Sequence, residues 1–281
     1  MSSRTLLNLA LMAIAAVLAL VIVYQPGITP EPAPQTVTTV GSEKISHIRV
    51  TRTTREPLAF TRRGDSWFLV NHHDLPASDF QVNSLLATLQ AEAMRSYPAD
   101  SIDPAELGLQ PPLATLTLGD TEIKIGTTDA LDKLRYLQAG DTVYMVTDRY
   151  QHLVNADWPG FVSRKLLPAG ARISELKLPQ TTLSLTADNQ WQQVPAHTTA
   201  APPDRQALID SWQQASATYI RRSQPSGTGE TDTVTHSGNP DPLTFNIVTR
   251  TPELVLARPD LGIQYHLQGE MDEALLATPA D

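Results

Sequence analysis

The sequence predicts an α+β protein of two tandem, related β-rich halves, each a β-meander with one packed helix, behind an N-terminal transmembrane helix. Three observations predict it. The first is a plan used twice. It reads Gly64-Asp65-Ser66-Trp67-Phe68-Leu69-Val70, a loop with Ala and Pro, then a helix-like run with Leu85, Leu86 and Leu89. Later it reads Ala187-Asp188-Asn189-Gln190-Trp191-Gln192-Gln193-Val194, Ala200-Ala201-Pro202-Pro203, then Leu208, Ile209 and Trp212. Upstream, Ile45-Ser46-His47-Ile48 matches Ile173-Ser174-Glu175-Leu176. Such self-similarity reports architecture rather than chemistry. The second observation is period-two apolar spacing between turn signals, the mark of half-buried strands. The third is a long apolar run over residues 6–24.

That run contains Leu, Ala, Ile, Val and Met, is interrupted by Asn8, and has no proline before Pro26. It has the length of a helix that crosses a bilayer core, where a continuous helix satisfies every backbone group internally. Arg4 precedes it, while the first charge after it is Glu31 and the first base is Lys44. The positive-inside bias puts a cytoplasmic tip at 1–5 and the body across the membrane. Val21-Ile22-Val23-Tyr24-Gln25-Pro26 is a poor cleavage site, and a lipoprotein signal would need a cysteine. An uncleaved signal anchor is therefore expected. Residues 25–43, with Pro26, Pro30, Pro32 and Pro34, read as an extended tether.

The net charge of −9 argues against nucleic acid as a partner, because Arg62-Arg63 and Arg221-Arg222 are isolated pairs rather than a basic patch. With 0 cysteines there is no disulfide, thiolate metal site or cysteine nucleophile.

Residues 44–168 form the first predicted half. Ile48 and Val50, Leu58 to Phe60, and Trp67 to Val70 give a three-stranded meander. Ser78 or Asp79 caps a helix whose stripe is Val82, Leu85, Leu86, Leu89 and Ala93. Leu107-Gly108-Leu109 precedes Pro111-Pro112, with Gly108 suited to a left-handed turn. Gly119-Asp120 and Gly140-Asp141 each join a pair of strands, and a helical stretch runs from Asp148 towards Trp158.

These residues resemble the bacterial DUF4340 family. The resemblance rests on Trp67 after its Gly-Asp turn, the Leu-rich helix, Leu107-Gly108-Leu109 with Pro111, Lys124-Ile125-Gly126 and Val143-Tyr144-Met145-Val146. It covers Ile45 to roughly Leu167. It implies a membrane-anchored envelope protein of the bacterial inner membrane, with its body in the periplasm. It further implies partners: an ABC-type permease and ATPase of the gliding-motility kind and a companion envelope subunit. The family carries no established catalytic residues, so none is transferred.

The second half, 169–281, repeats the strands, the Trp191 turn and the helix (Pro203 to Ala217), and Tyr219-Ile220 stands where Tyr97 stood. Residues 224–240, rich in Ser, Gly, Thr and Asp, read as an exposed loop. This half lacks the Leu-Gly-Leu…Pro segment and is expected to lack one strand.

Candidate chemistry is sparse. His72-His73-Asp74 is the most ligand-like cluster, but it has no spaced histidine partner and reads as a surface loop. Asp100, Asp103 and Glu106 around Pro104 read as a helix-start cluster. Ser226-Gly227, Ser237-Gly238 and His236 lack a nucleophile elbow. No cofactor or metal is expected. The residues expected to act as interaction or structural anchors are Trp67, Leu107, Gly108, Leu109, Tyr136, Tyr144 and Trp191. The expected function is a non-enzymatic auxiliary or scaffold subunit. The alternative is a periplasmic module that binds a glycan or peptide between the halves, which needs exposed aromatics in a groove.

Overall fold

The computed structural model describes residues 12–19, 35–194, 202–223, 229–236, 239–269 and 271–276. The chain divides into two compact units, Met1–Gln35 and Thr36–Asp281. In the first, helix α1 covers 12–19, with Met12, Ile14, Val17 and Leu18 exposed. The rest of the expected span, 6–11 and 20–24, lies outside the described residues. Among the described residues no helix is long and apolar enough to cross a membrane.

The larger unit is mostly β and holds two antiparallel sheets. The first half contributes β1 (Gln35–Thr36), β2 (His47–Arg52), β3 (Leu58–Arg63), β4 (Ser66–Leu69), β5 (Leu75–Pro76), helix α2 (Asp79–Leu86) and β6 (Glu92–Pro98). It continues with β7 (Ala114–Leu118), β8 (Thr121–Thr128), β9 (Leu134–Ala139), β10 (Thr142–Thr147) and helix α3 (Gln151–Asn155). The second contributes β11 (Ile173–Lys177), β12 (Thr182–Leu185), β13 (Trp191–Val194), α4 (Pro202–Gln214), β14 (Tyr219–Arg222) and β15 (Thr231–His236). It ends with β16 (Asn239–Thr249), β17 (Leu254–Arg258), β18 (Ile263–Leu267) and α5 (Met271–Leu276).

The two sheets share one topology. The first runs β1-β6-β10-β9-β8-β7-β2-β3-β4-β5, and the second, read from its other edge, runs β14-β18-β17-β16-β15-β11-β12-β13. Without the two-residue strands β1 and β5, each strand of one half has its counterpart at the same place in the other. The expected missing strand is therefore present. It is β15, inside the stretch read as an exposed loop, and it pairs with both β11 and β16. Its inward positions are Asp232, Val234 and His236, so one apolar residue in three hid the alternation.

Two further expectations are corrected. Ala93 does not extend the helix: α2 ends at Leu86, a 3-10 turn covers Ala87–Gln90, and Ala93 pairs with Val146 as part of β6. Helix propensity is a weak prior, overridden here by an available strand edge. The tether also stops short of residue 43. Val37 is buried, its amide donates to the Ala91 carbonyl (3.1 Å), and that of Thr38 donates to Leu89 (2.9 Å).

One apolar core runs through both halves, from Val37 to Leu276. The segment between the sheets joins them by backbone bonds on each side. Ser78 donates to the Phe161 carbonyl and Ser163 to Pro76 in the first half, both at 2.8 Å. Leu166 donates to Ala215 (3.2 Å) and Ala217 to Arg164 (2.8 Å) in the second. Residues 164–166 thus hold the place in the second half that 36–38 hold in the first.

Candidate functional site

The richest polar constellation lies at the junction of the halves. Arg52, buried at the end of β2, donates to the carbonyls of Glu56, Leu153 and Ala156 and so fastens the chain leaving α3. Asp157 then caps a 3-10 turn, its side chain accepting from the Trp158 amide at 2.9 Å. The buried Trp158 ring stacks on His72, with centroids 4.6 Å apart and planes 5° from parallel. From the second half, Arg222 bonds Asp157 through two nitrogens (2.6 and 2.8 Å) and Glu56 at 3.0 Å, with its guanidinium 5.8 Å from the Trp158 ring centre.

The electrostatics follow from these contacts. The Arg222 bonds, helped by the Trp158 amide and opposed by burial, hold the Asp157 carboxyl below the usual range. Asp157 first, and Glu56 after it, hold the Arg222 guanidinium protonated. Burial lowers the pKa of His72, against the Pro57 carbonyl and Glu56. A neutral imidazole stacked flat on an indole is a packing group. The arrangement clamps two halves together and leaves its charges committed to one another.

A groove of about 290 Å³ is lined from both halves, by Trp67, Ala77, Val162 and Leu166 together with Asp74, Lys165 and the buried Arg258 among others. Asp74 is held by Arg63 (2.6 and 2.8 Å) and Arg258 by Asp260 (2.7 and 2.9 Å). A larger cavity of about 480 Å³ lies within the first half between α2 and α3, lined by Leu85, Val146, Tyr150 and His152 among others.

The expected anchor residues do not form one site. Trp67 is buried in the first core, at 6 % exposure, which counts against a glycan-stacking platform. Trp191 is half-buried against the second core. Leu107, Gly108 and Leu109 form a turn on Gly126: the Leu107 carbonyl accepts from the Thr127 amide (2.8 Å) and hydroxyl (3.0 Å), and Leu109 is buried. Gly108 has φ +64, and a Cβ there would come 2.7 Å from Thr127 Cγ2. Two motif segments, far apart in sequence, thus meet. Below them Arg135 donates to the Gly126 carbonyl (2.8 Å) and twice to Asp148 (2.8 and 2.7 Å). Burial pushes the Asp148 carboxyl up, but Arg135, the Tyr150 amide and Thr128 together hold it below its usual range. Tyr144 packs on the core, paired with Leu137, while Tyr136 pairs with Met145 on the opposite face of the sheet.

In the ligand-like triplet, His72 packs on Trp158 while His73 and Asp74 take left-handed turns at φ 55 and 54. Among the described residues no group of three or more His, Asp or Glu is gathered to hold a metal. Ser226 and Ser237 lie outside the described residues. Sequence reasoning missed Asp157, Trp158 and Arg222 as partners. The only visible signal was the Arg221-Arg222 pair, and its acceptor lies 65 residues away.

Fold and site together define a duplicated antiparallel β protein whose halves are clamped through a shared linker. The chain belongs to the DUF4340 family, described as a domain of unknown function: the family model matches residues 67–223, more than half of its 281 residues. That match runs from the first-half Trp through the linker to the residue after Arg222, past the expected limit at Leu167, so it takes in His72, Asp157, Trp158 and Arg222 of the junction but not Arg52 or Glu56. Comparison with curated proteins and with solved structures returned no match for either.

Proposed function

We propose that this protein is a non-enzymatic, membrane-anchored periplasmic protein, an auxiliary or scaffold subunit of an ABC-type transport system. The observation that carries this reading is the use made of polar side chains within the family-matched segment. Arg222, Asp157, Arg135 and Asp148 are bonded to one another, to Glu56 just outside that segment, or to backbone carbonyls, an arrangement that suits a stiff spacer. The apolar run at 6–24 supplies the anchorage, and the kind of partner comes from the family resemblance. Detergent extraction of the full-length protein from native membranes, with mass spectrometry of what co-purifies, tests it. Recovery of a permease and its ATPase, lost when 6–24 is replaced by a cleavable signal, is expected. Recovery of no stoichiometric membrane protein overturns the reading.

A second reading, a peptide-binding module, is favoured by the groove beside Trp67, whose mixed apolar and charged lining suits a short extended segment. Filling that groove by Ala77→Phe would abolish such binding while leaving the membrane partners in place.

A further inference from the structure

Strand β15 lies between β11 and β16, and Asp232 faces from it into the second core. Its relative exposure is 0 %, and neither carboxyl oxygen has a hydrogen-bond partner among the described residues. Directly across on β16 is Phe245, and Val234, Ile247 and Leu176 share the buried surroundings. From α4, the Trp212 ring closes on Phe245 at 5.6 Å. A carboxylate in such a place has lost its hydration without replacement, which favours the protonated acid.

The charged groups around it do not change that balance. Arg250 and Glu230, beyond the strand ends, pair with each other at 2.9 Å. Arg258 of β17 lies over the Phe245 ring and is held by Asp260. On α4, Arg205 donates to the Trp191 carbonyl, and Asp210 accepts from Gln206. Burial dominates and pushes the Asp232 carboxyl up to about 7, with Arg250 pulling it down and Glu230 adding to the rise.

We propose that Asp232 is a protonation-dependent latch, which closes the second half when it carries its proton and loosens the sheet around β15 when it ionises. The strand's position gives the loosening reach. β15 is the neighbour of β11, the first strand after the linker, so weakening it weakens the half that presents Arg222 to the junction.

The test is urea unfolding of the full-length protein in detergent, wild type against Asp232→Asn, at about pH 5.5 and 8.5. A raised folded pKa means that stability is lost as pH rises from the unfolded value through the folded one. The wild-type folding equilibrium constant is expected to fall roughly thirtyfold more than that of the variant across this interval. The variant is expected to be the more stable at the higher pH. Asp232→Leu, similar in volume and without charge, serves as the second variant should the amide not fold. An infrared band of a buried protonated carboxyl near neutral pH, lost in either variant, gives a readout that packing alone does not move. Parallel pH dependence in wild type and variant, or absence of that band, overturns the proposal.

Discussion

At the scale of single residues, the left-handed glycines separate into two kinds. Gly108 must be glycine twice over: its φ of +64 disfavours any Cβ, and the space a Cβ would need is held by Thr127. Gly140 has φ +57 but open space where a Cβ would stand. Gly108→Ala is therefore expected to destabilise by about 2–3 kcal/mol and Gly140→Ala by about 1 kcal/mol. Equal costs in chemical denaturation would mean that the Leu107-Gly108-Leu109 turn is not pressed against β8 as described. The duplicated tryptophans also part company here. Trp67 is buried while Trp191 is half-buried, although both follow the same kind of turn. The repeat was legible because turn chemistry is local. The difference in burial was not, because burial is set by residues distant in the chain.

At the scale of elements, the linker joins the sheets and Trp158 is its centre. Trp158→Ala removes a buried ring together with its stacking on His72, and a loss of about 3–5 kcal/mol is expected. Arg222→Ala acts differently. The side chain is half exposed, so its ion pairs are worth only about 0.2–1 kcal/mol each. Its removal is expected to leave the unfolding midpoint nearly unchanged while speeding protease cleavage within residues 163–172. A large drop in midpoint with no change in cleavage would contradict the clamp. Strand β15 is the element least visible in the sequence. Its inward Asp and His broke the apolar alternation, and only the pairing of β11 and β16 to either side makes it a strand.

At the scale of the whole molecule, the continuous core predicts cooperative unfolding of both halves, since Trp158, Phe161, Leu166 and Leu167 link their interiors. A fragment ending at 168 is expected to bind hydrophobic dyes and lack sharp tertiary signals; a well-folded fragment would show that the halves are independent. The pH profile is set by opposed groups. His72, with its folded pKa lowered, withdraws stability as pH falls below about 6.5, and Asp157 does so as pH falls below its unfolded value of 3.8. Asp232 withdraws stability as pH rises from 3.8 through about 7. Asp232→Asn is therefore expected to move the pH of maximum thermal stability upward. An unmoved maximum in a scan of melting temperature against pH would count against that assignment.

The sequence by itself determined the β-rich duplication, the turns at Gly64, Gly108, Gly119 and Gly140, most strand positions and the apolar stripe of α2, because turn geometry and side-chain period act over a few residues. The family followed from the same local motifs. Only the tertiary structure decided that the two sheets share every long strand, that residues 36–40 belong to the body, and that Arg222 meets Asp157. It also decided that the Asp232 carboxyl sits in the second core without a hydrogen-bond partner among the described residues. These depend on which surfaces remain to be covered once the strands have paired, and burial of that kind is set by residues distant in the chain rather than by neighbours along it.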